Sequence, residues 1–218
     1  MAAADEFSVK VKGKGSHGSQ PWLSVDPITV SAQVIMGLQT IISRQTELTK
    51  NAAVISIGSV KGGVRFNIIP EEVEIVGTIR TLDTQMQRRI HEKLRLTATK
   101  IAESAGATAE VSIETKTLVT HNDAMLTSKM LPTLERTAGK ANVKVMDAVM
   151  GAEDFSYFGT RAPSLFFYLG GMKKGQDPAT AFPHHTPDFT IDERGMKLGI
   201  NVLCNIVIDY LNQAGLQR

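Results

Sequence analysis

Alternating apolar and polar positions in the first half of the chain predict four β-strands, and apolar residues three and four positions apart predict two helices between them. The strands are expected at residues 7–13, 54–58, 72–81 and 108–114. Asp26 and Asp83 are expected to cap the helices, because a carboxylate accepts hydrogen bonds from the free N–H groups of a first helical turn. Gly106 is a suitable residue to end the second helix. The order β-α-β-β-α-β predicts an α+β domain over residues 7–116, with a ferredoxin-like sheet carrying two helices on one face.

After Thr117 the pattern predicts mainly helices. One helix is expected from near Asn122 past Met130, where Pro132 should kink or split it. A final helix is expected from Asp192, with five residues along its apolar side: Met196, Ile200, Leu203, Val207 and Tyr210.

Two short strands are also expected in the second half. Residues 143–146 alternate in character, and the apolar run at 164–169 is typical of a strand covered on both faces. A short helix is expected after residues 151–155. These elements are too few for residues 117–218 to make a complete core alone.

Composition narrows the possible functions. The 218 residues carry a formal net charge of +2, and lysine and arginine are spread along the chain, which argues against a nucleic-acid-binding protein. The single cysteine, Cys204, excludes an internal disulfide and is expected to be a buried, inert helix residue. No apolar run approaches the ~20 residues that span a bilayer, and the first residues do not form a signal peptide. We therefore expect a cytoplasmic protein without a membrane partner.

Three of the five histidines lie in loops that could carry chemistry. His17 is displayed on a loop between Gly15 and Gly18, where it suits hydrogen bonding to a charged intermediate. A turn residue without a functional role explains the local sequence equally well. His184 and His185 are flanked by prolines; one of the two suits a metal, since adjacent side chains of an extended segment point in different directions. A plain loop pair is the alternative. The remaining two, His91 and His121, are expected to be solvated surface residues.

Two charged positions have a functional and a structural interpretation. Arg80 projects from the alternating strand 72–81. A guanidinium held on a rigid strand is well placed to bind a carboxylate with two hydrogen bonds. A surface salt bridge to Glu72 or Glu74 is the alternative. Glu153, beside Asp154, lies before a short helix, where an acidic pair is explained equally well by helix capping.

Taken in order, six segments resemble the amidohydrolase branch of the aminoacylase and carboxypeptidase-G family of dinuclear metallohydrolases, which includes hippurate hydrolase and the plant indole-acetyl-amino-acid hydrolases. The segments are 13–21 (GKGSHGSQP), 25–28 (VDPI), 67–70 (NIIP), 77–80 (GTIR), 151–156 (GAEDFS) and 184–189 (HHTPDF). The resemblance implies an α/β zinc-peptidase-like catalytic domain interrupted by a smaller dimerising lid. It identifies residues 7–116 as the lid and residues 117–218 as the C-terminal part of the catalytic domain.

The resemblance also implies roles for five residues. By this match His17 reaches into the active site of a partner subunit and polarises the scissile carbonyl. Asn67 helps to hold the substrate, and Arg80 binds the free carboxylate of its amino-acid part. His185 is implied as a metal ligand, and Glu153 lies beside the metals or the substrate. The parent reaction is hydrolysis of the amide bond of an N-acyl amino acid or a related small amide, in a homodimer.

Two departures from the family pattern bear on this chain. Family members carry an N-terminal stretch with the other metal ligands and the catalytic glutamate, and this sequence has no counterpart to it. The longer parent is therefore expected to bind two divalent ions of zinc, manganese or cobalt, whereas this chain alone is expected to bind none tightly and to be inactive. The competing hypothesis is a non-catalytic truncated product or dimerising lid module. The second departure is Trp22, where many members have histidine, and it is expected to shift substrate preference.

Overall fold

The four predicted strands form one antiparallel sheet in the computed structural model, which describes residues 1–215. The long strands are β1 (Ala3–Lys12), β3 (Ala53–Gly62), β5 (Glu72–Thr81) and β6 (Thr108–Thr117), in the spatial order β3-β5-β1-β6. Two short strands, β2 (Ser16–His17) and β4 (Ile68–Ile69), form a separate ribbon. The helices α1 (Pro27–Gln45) and α2 (Thr84–Ser104) contact the sheet and each other. The predicted α+β fold with β-α-β-β-α-β order is confirmed.

The chain divides into two compact units. The first contains residues 1–120 and 148–161, and the second contains residues 121–147 and the chain from Ala162 onward. The division into domains at 7–116 and 117–218 stays a prediction. Within residues 1–215 no helix is both long enough and apolar enough to cross a membrane.

The core of the first unit lies between the sheet and the two helices. Each long strand turns alternate side chains inward, and α1 and α2 cover them with one apolar face each. The largest fully buried apolar residues here are Phe7, Val9, Val11, Val34, Leu38, Ile41, Ile75, Ile79, Ile90 and Leu94. Burial of each such side chain contributes about 1.5–3 kcal/mol, so this layer supplies the main driving force for folding.

Both predicted helix caps are present. Asp26 accepts hydrogen bonds from the N–H groups of Ile28 and Thr29, and Asp83 accepts one from Met86 at 2.7 Å. Gly106, directly after α2 and its cap Ala105, has a φ of +76°, a left-handed conformation that glycine adopts without a steric penalty.

Gly77 leaves room for the Phe7 ring to pack across the middle of the sheet. A Cβ atom at this position would lie 2.6 Å from Phe7 Cε1 and inside van der Waals contact with the Ser56 carbonyl oxygen. Because the latter neighbour is backbone, we expect Gly77→Ala to lower the free energy of unfolding by about 1–3 kcal/mol, measured by urea denaturation. Gly58→Ala in β3 is the matched control, since its Cβ would meet nothing closer than 4.0 Å. Equal effects of the two substitutions would contradict this packing argument.

His91 was predicted to be a solvated surface residue, and this is wrong. Its Nε2 atom lies 3.0 Å from Oδ2 of Asp5, a carboxylate on β1 that is buried beneath α2. The approach is close enough for an ion pair, although it is not a straight hydrogen bond. Asp5 also accepts hydrogen bonds from Gln87 on α2 and from the Thr115 hydroxyl on β6. Helical periodicity places His91 on a helix face but cannot reveal a buried charge on a strand distant in sequence.

The Asp5 cluster should make the first unit sensitive to acid. Burial alone would raise the pKa of Asp5, but the His91 ring, Thr115 and Gln87 outweigh burial and hold it below its usual value. Because the pKa is lowered in the folded state, the carboxylate stabilises the fold above its unfolded pKa of about 3.9, and this contribution is lost as the pH falls below that value.

We expect Asp5→Asn to lower the free energy of unfolding by about 1–3 kcal/mol at pH 6, and the gap to the unsubstituted chain to shrink towards pH 3. Urea titrations across this range measure both quantities. Glu6→Gln is the control, because the neighbouring Glu6 is exposed. A gap that does not change with pH would show that the stabilisation does not depend on the Asp5 charge.

The second unit contains helices α3 (Ala124–Ala138) and α4 (Gly195–Gly215). Pro132 does not split the helix, because α3 continues through this residue, and the predicted kink stays a prediction. Contacts to α4 hold the helix: the Thr133 hydroxyl donates to Asp209 at 2.6 Å, and Arg136 pairs with the same carboxylate. These tertiary contacts offset the backbone hydrogen bond that proline removes.

Neither predicted strand of the second unit is formed. Residues 143–146 and 164–169 lack strand structure. The second segment satisfies part of its backbone through Asn122, whose side-chain amide both donates to and accepts from Phe166. A strand requires a neighbouring strand, and none lies beside these segments within residues 1–215.

The prediction of a buried Cys204 is also wrong. Cys204 is exposed on α4, and the apolar residues Met196, Ile200, Leu203 and Val207 of this helix are exposed with it. The helix packs on α3 through a different side, where Val202 is buried. The apolar run therefore predicted the helix correctly but not which of its faces is covered within the described chain.

Candidate functional site

His17 and Asn67 are brought together by the β2–β4 ribbon. His17 lies directly opposite Ile68 in this ribbon, and the N–H of Gly18 donates to the Asn67 carbonyl oxygen at 2.8 Å. Glycine at position 18 favours this approach, because a Cβ there would lie 3.2 Å from the Asn67 backbone, a tight contact. Two residues that are 50 positions apart in sequence therefore share one exposed end of the first unit.

The hydrogen bonds of His17 fix which ring nitrogen carries the proton. Its Nδ1 atom accepts from the backbone N–H of Ser19 at 3.1 Å and lies 2.7 Å from the Ser19 hydroxyl. An accepting Nδ1 places the proton of the neutral ring on Nε2. The His17 side chain is exposed, so Nε2–H is available as a donor to a carbonyl oxygen.

Arg80 lies near the opposite end of the sheet from His17. It is the next-to-last residue of β5. Eight residues separate it from Glu72 at the start of that strand, which is about 26 Å at the rise of a β-strand. The Nη1 group donates to the Thr78 hydroxyl and to the Ile79 carbonyl oxygen. No partner for Nε or Nη2 is found within the described chain, so one two-pronged edge of the guanidinium is free for a carboxylate.

The alternative salt bridge of Arg80 is not formed. Among the described residues Glu72 pairs with Lys10 at 3.7 Å, and neither Glu72 nor Glu74 reaches the guanidinium. The half-buried Arg80 is instead flanked in the sheet by two uncharged residues, Ala4 of β1 and Val54 of β3.

Glu153 precedes a short 3-10 helix, Asp154–Thr160, in the first unit. It occupies the N-cap position, but its carboxylate makes no capping hydrogen bond. The capping explanation therefore fails for Glu153, and its predicted role beside metals or substrate stays a prediction.

His185 has an unusual backbone. Among residues 1–215 it is the one residue other than glycine with a positive φ, +65°, a conformation that is uncommon outside glycine. The His184 ring packs edge-on against Phe189, with 4.7 Å between ring centroids. His184 is therefore held in its own loop, whereas the His185 side chain is exposed and available as a ligand.

The described residues do not assemble a metal centre. Nowhere in residues 1–215 do three or more histidine, cysteine, aspartate or glutamate side chains form a group suited to a metal ion. A two-metal site needs several ligands for each ion. His185 alone does not meet this need, so the described residues do not form a site at which a metal ion could take part in a reaction.

Sequence patterns missed Ser19 and the β2–β4 ribbon. A two-residue strand has no periodicity to detect, and the one available signal for Ser19 was its position two residues after His17, a spacing at which a side chain can bond to the backbone.

Comparison with known proteins shows which proteins this chain is similar to. Residues 4–105 match the profile of the peptidase dimerisation domain. The chain is 34% identical over 214 residues to thermostable carboxypeptidase 2 of Saccharolobus solfataricus, which covers 98% of the chain and 53% of the relative. It is 31% identical over 213 residues to N-acetylcysteine deacetylase of Bacillus subtilis, covering 97% of the chain and again 53% of the relative.

A solved structure gives the same picture. The chain superimposes on a Bacillus subtilis dinuclear metal-binding peptidase from the M20 family with a TM-score of 0.71 and 26% identity, over 97% of the chain and 51% of that protein. The chain thus spans about half the length of the relatives it matches. The chain therefore carries the M20 peptidase dimerisation domain, and nearly its whole length is similar to part of proteins from the M20 peptidase family.

Proposed function

We propose that this chain serves a metal-dependent amidohydrolase that cleaves the amide bond of N-acyl amino acids or related small amides. The observation that carries the proposal is the exposed His17 ring, with its proton on Nε2, held beside Asn67. A neutral donor fixed in this way stabilises the negative charge that develops on a carbonyl oxygen during amide hydrolysis. The similarity to N-acetylcysteine deacetylase supports an N-acyl amino acid as the substrate class.

In this proposal the residues act on different parts of the substrate. His17 donates to the scissile carbonyl oxygen, and Asn67 holds the adjoining amide. Arg80 grips the free carboxylate through its Nε and Nη2 groups. Arg80 lies about 26 Å along β5 from Glu72, the end of the strand that follows the His17 ribbon, so one small substrate meets both side chains only if they come from different subunits. This separation supports a homodimer in which His17 completes the partner's active site.

Two divalent ions (zinc, manganese or cobalt) would supply an activated water in the longer protein. His185 is the proposed ligand from this chain, and Glu153 is proposed to lie close to the ions or the substrate. The other ligands would come from a part of the longer protein outside this chain.

The test compares this chain with the longest natural protein that contains it. Both are supplied with zinc, manganese or cobalt and assayed with N-acetyl and N-benzoyl amino acids. We expect turnover by the longer protein and none by the chain alone. Turnover by the isolated chain would overturn the proposed division of the site. No turnover by either would favour the second candidate, a non-catalytic dimerising module, which the match of residues 4–105 to a dimerisation domain supports.

Dimerisation should use an open edge of the sheet. The edge strand β6 carries Glu110, Glu114 and Lys116, charges that protect an edge, whereas Lys61 is the only charged residue of β3. We expect sedimentation to detect dimers at micromolar concentration. Val60→Lys on β3 should shift them towards monomers, and Ser112→Lys on β6 should not. A monomer at high micromolar concentration without either substitution would count against the dimer.

A further inference from the structure

A cavity lies in the first unit where α1 ends and α2 begins. Its volume is about 220 Å³, and its wall combines side chains from the end of α1, from the turn that leads into β3 and from the first turns of α2. Pockets for drug-sized ligands hold about 300–1,000 Å³, so this one suits a smaller molecule. The cavity is on the helix side of the sheet. Arg80 belongs to the opposite face, because its neighbours Ile79 and Thr81 are the residues that turn inward.

Two cations in the cavity wall have no carboxylate partner. Among the residues that the structure describes, neither Arg89 nor Lys93 forms an ion pair. Lys93 donates to the Gln45 carbonyl oxygen at 2.6 Å, which uses one of the three N–H groups of its ammonium. The exposed Arg89 guanidinium has all five of its N–H groups left. Both side chains therefore have donors available for an anionic ligand.

The two carboxylates of the wall are already engaged. Glu47 pairs with Lys50 at 3.1 Å, and Asp83 accepts the N–H of Met86 at 2.7 Å as the cap of α2. Three basic and two acidic side chains leave the wall with a net charge of +1. A monoanion balances this charge, whereas a dianion gains less because both carboxylates repel it.

The deeper part of the cavity is apolar. Ile90 is buried and Met86 is half-buried, whereas Arg89 is exposed at the rim. Small-molecule sites typically combine an apolar lining with a few polar groups that fix the orientation of the ligand. A ligand that matches this wall has an apolar body against Ile90 and one negative group beside Arg89.

We propose that this cavity binds a small monocarboxylate with an apolar body. The Arg89 guanidinium holds the carboxylate through two parallel hydrogen bonds, and Lys93 adds a second positive charge. The bound molecule links the end of α1 to the first turns of α2.

The experiment titrates the isotope-labelled chain with sodium phenylacetate and follows its backbone amide signals by NMR. We expect saturable shifts at residues 45–51 and 83–93, with a Kd on the order of 1 mM for a ligand of this size. Phenylacetamide has the same shape without the charge, and inorganic phosphate has charge without the apolar body. Each should bind at least about 10-fold more weakly than phenylacetate.

Arg89→Gln should raise the Kd for phenylacetate at least about 10-fold, because a neutral amide cannot form the charge-assisted pair of hydrogen bonds. Arg88→Gln is the matched control. Arg88 is the adjacent exposed residue of α2 and lies outside the cavity wall, so this substitution should change the Kd less than about 2-fold.

Four results would overturn the proposed site. They are the absence of shifts at residues 45–51 and 83–93, shifts confined to the surroundings of Arg80, equal losses in the two arginine variants, and binding of phenylacetamide as tight as that of phenylacetate. Phosphate that binds as tightly as phenylacetate would overturn the assignment to a monocarboxylate. Binding of phenylacetate needs neither a metal ion nor the longer protein, so all of these results are independent of the proposed function.

Discussion

Replacing Arg80 with lysine in the longest natural protein is expected to lower kcat/KM for N-acyl amino acids by about 10- to 150-fold. Lysine keeps the positive charge but loses the two-pronged hydrogen bond to a carboxylate, a loss of about 1.5–3 kcal/mol. The free Nε and Nη2 edge is the structural reason, because lysine has no equivalent edge to present there. The free energy of unfolding should change far less than substrate binding.

The matching amide substrates provide the decisive comparison for Arg80. They have no carboxylate to hold, so the effect of Arg80→Lys should largely vanish with them. Arg95→Lys is the control variant, since Arg95 donates to the Val111 carbonyl oxygen and has no proposed role at the site. A loss of equal size on acids and amides would mean that Arg80 is a structural residue.

Replacing His17 with alanine should give a different kinetic pattern. We expect kcat to fall by about 100- to 1,000-fold for acid and amide substrates alike, because the lost donor acts on the scissile carbonyl that both substrates share. Removal of a residue that acts mainly in the transition state leaves KM nearly unchanged. His121→Ala is the control, because His121 is an exposed loop residue of the second unit. An effect of His17→Ala on KM alone would contradict the role of His17 in stabilising the oxyanion.

Mixing two inactive variants tests whether His17 acts across the dimer. If His17 and Arg80 of one active site come from different subunits, a heterodimer of His17→Ala and Arg80→Ala has one intact site. Random exchange of subunits should then restore about a quarter of the unsubstituted activity. Should both residues serve the site of their own subunit, no combination of these variants regains activity.

Local sequence signals predicted the first unit because its elements are defined by local chemistry. Asp26 and Asp83 begin their helices as predicted, and β5 has the predicted bounds at 72–81. The alternating pattern underestimated the lengths of two strands. Ala3 and Ala4 extend β1, and residues 59–62 extend β3, without clear alternation. The pairing of His17 with Ile68 had no local signal at all.

The errors concern residues whose surroundings are distant in sequence. Val143–Met146 has the composition of a strand, but a strand is stable only beside another. His91 has the spacing of an exposed helical residue, but its neighbour Asp5 lies 86 positions earlier. Arg80 illustrates the same point at the site: its strand and its face could be predicted, whereas its separation from His17 required the topology of the sheet.

The exposed apolar side of α4 affects how self-association of this chain depends on temperature. Contact between two such helices would be driven by the hydrophobic effect, which weakens on cooling. Pairing through β3 is held largely by main-chain hydrogen bonds and does not share this temperature dependence to the same degree. Complexes that dissociate on ice would therefore be held together by α4, and those that persist in the cold by pairing through β3.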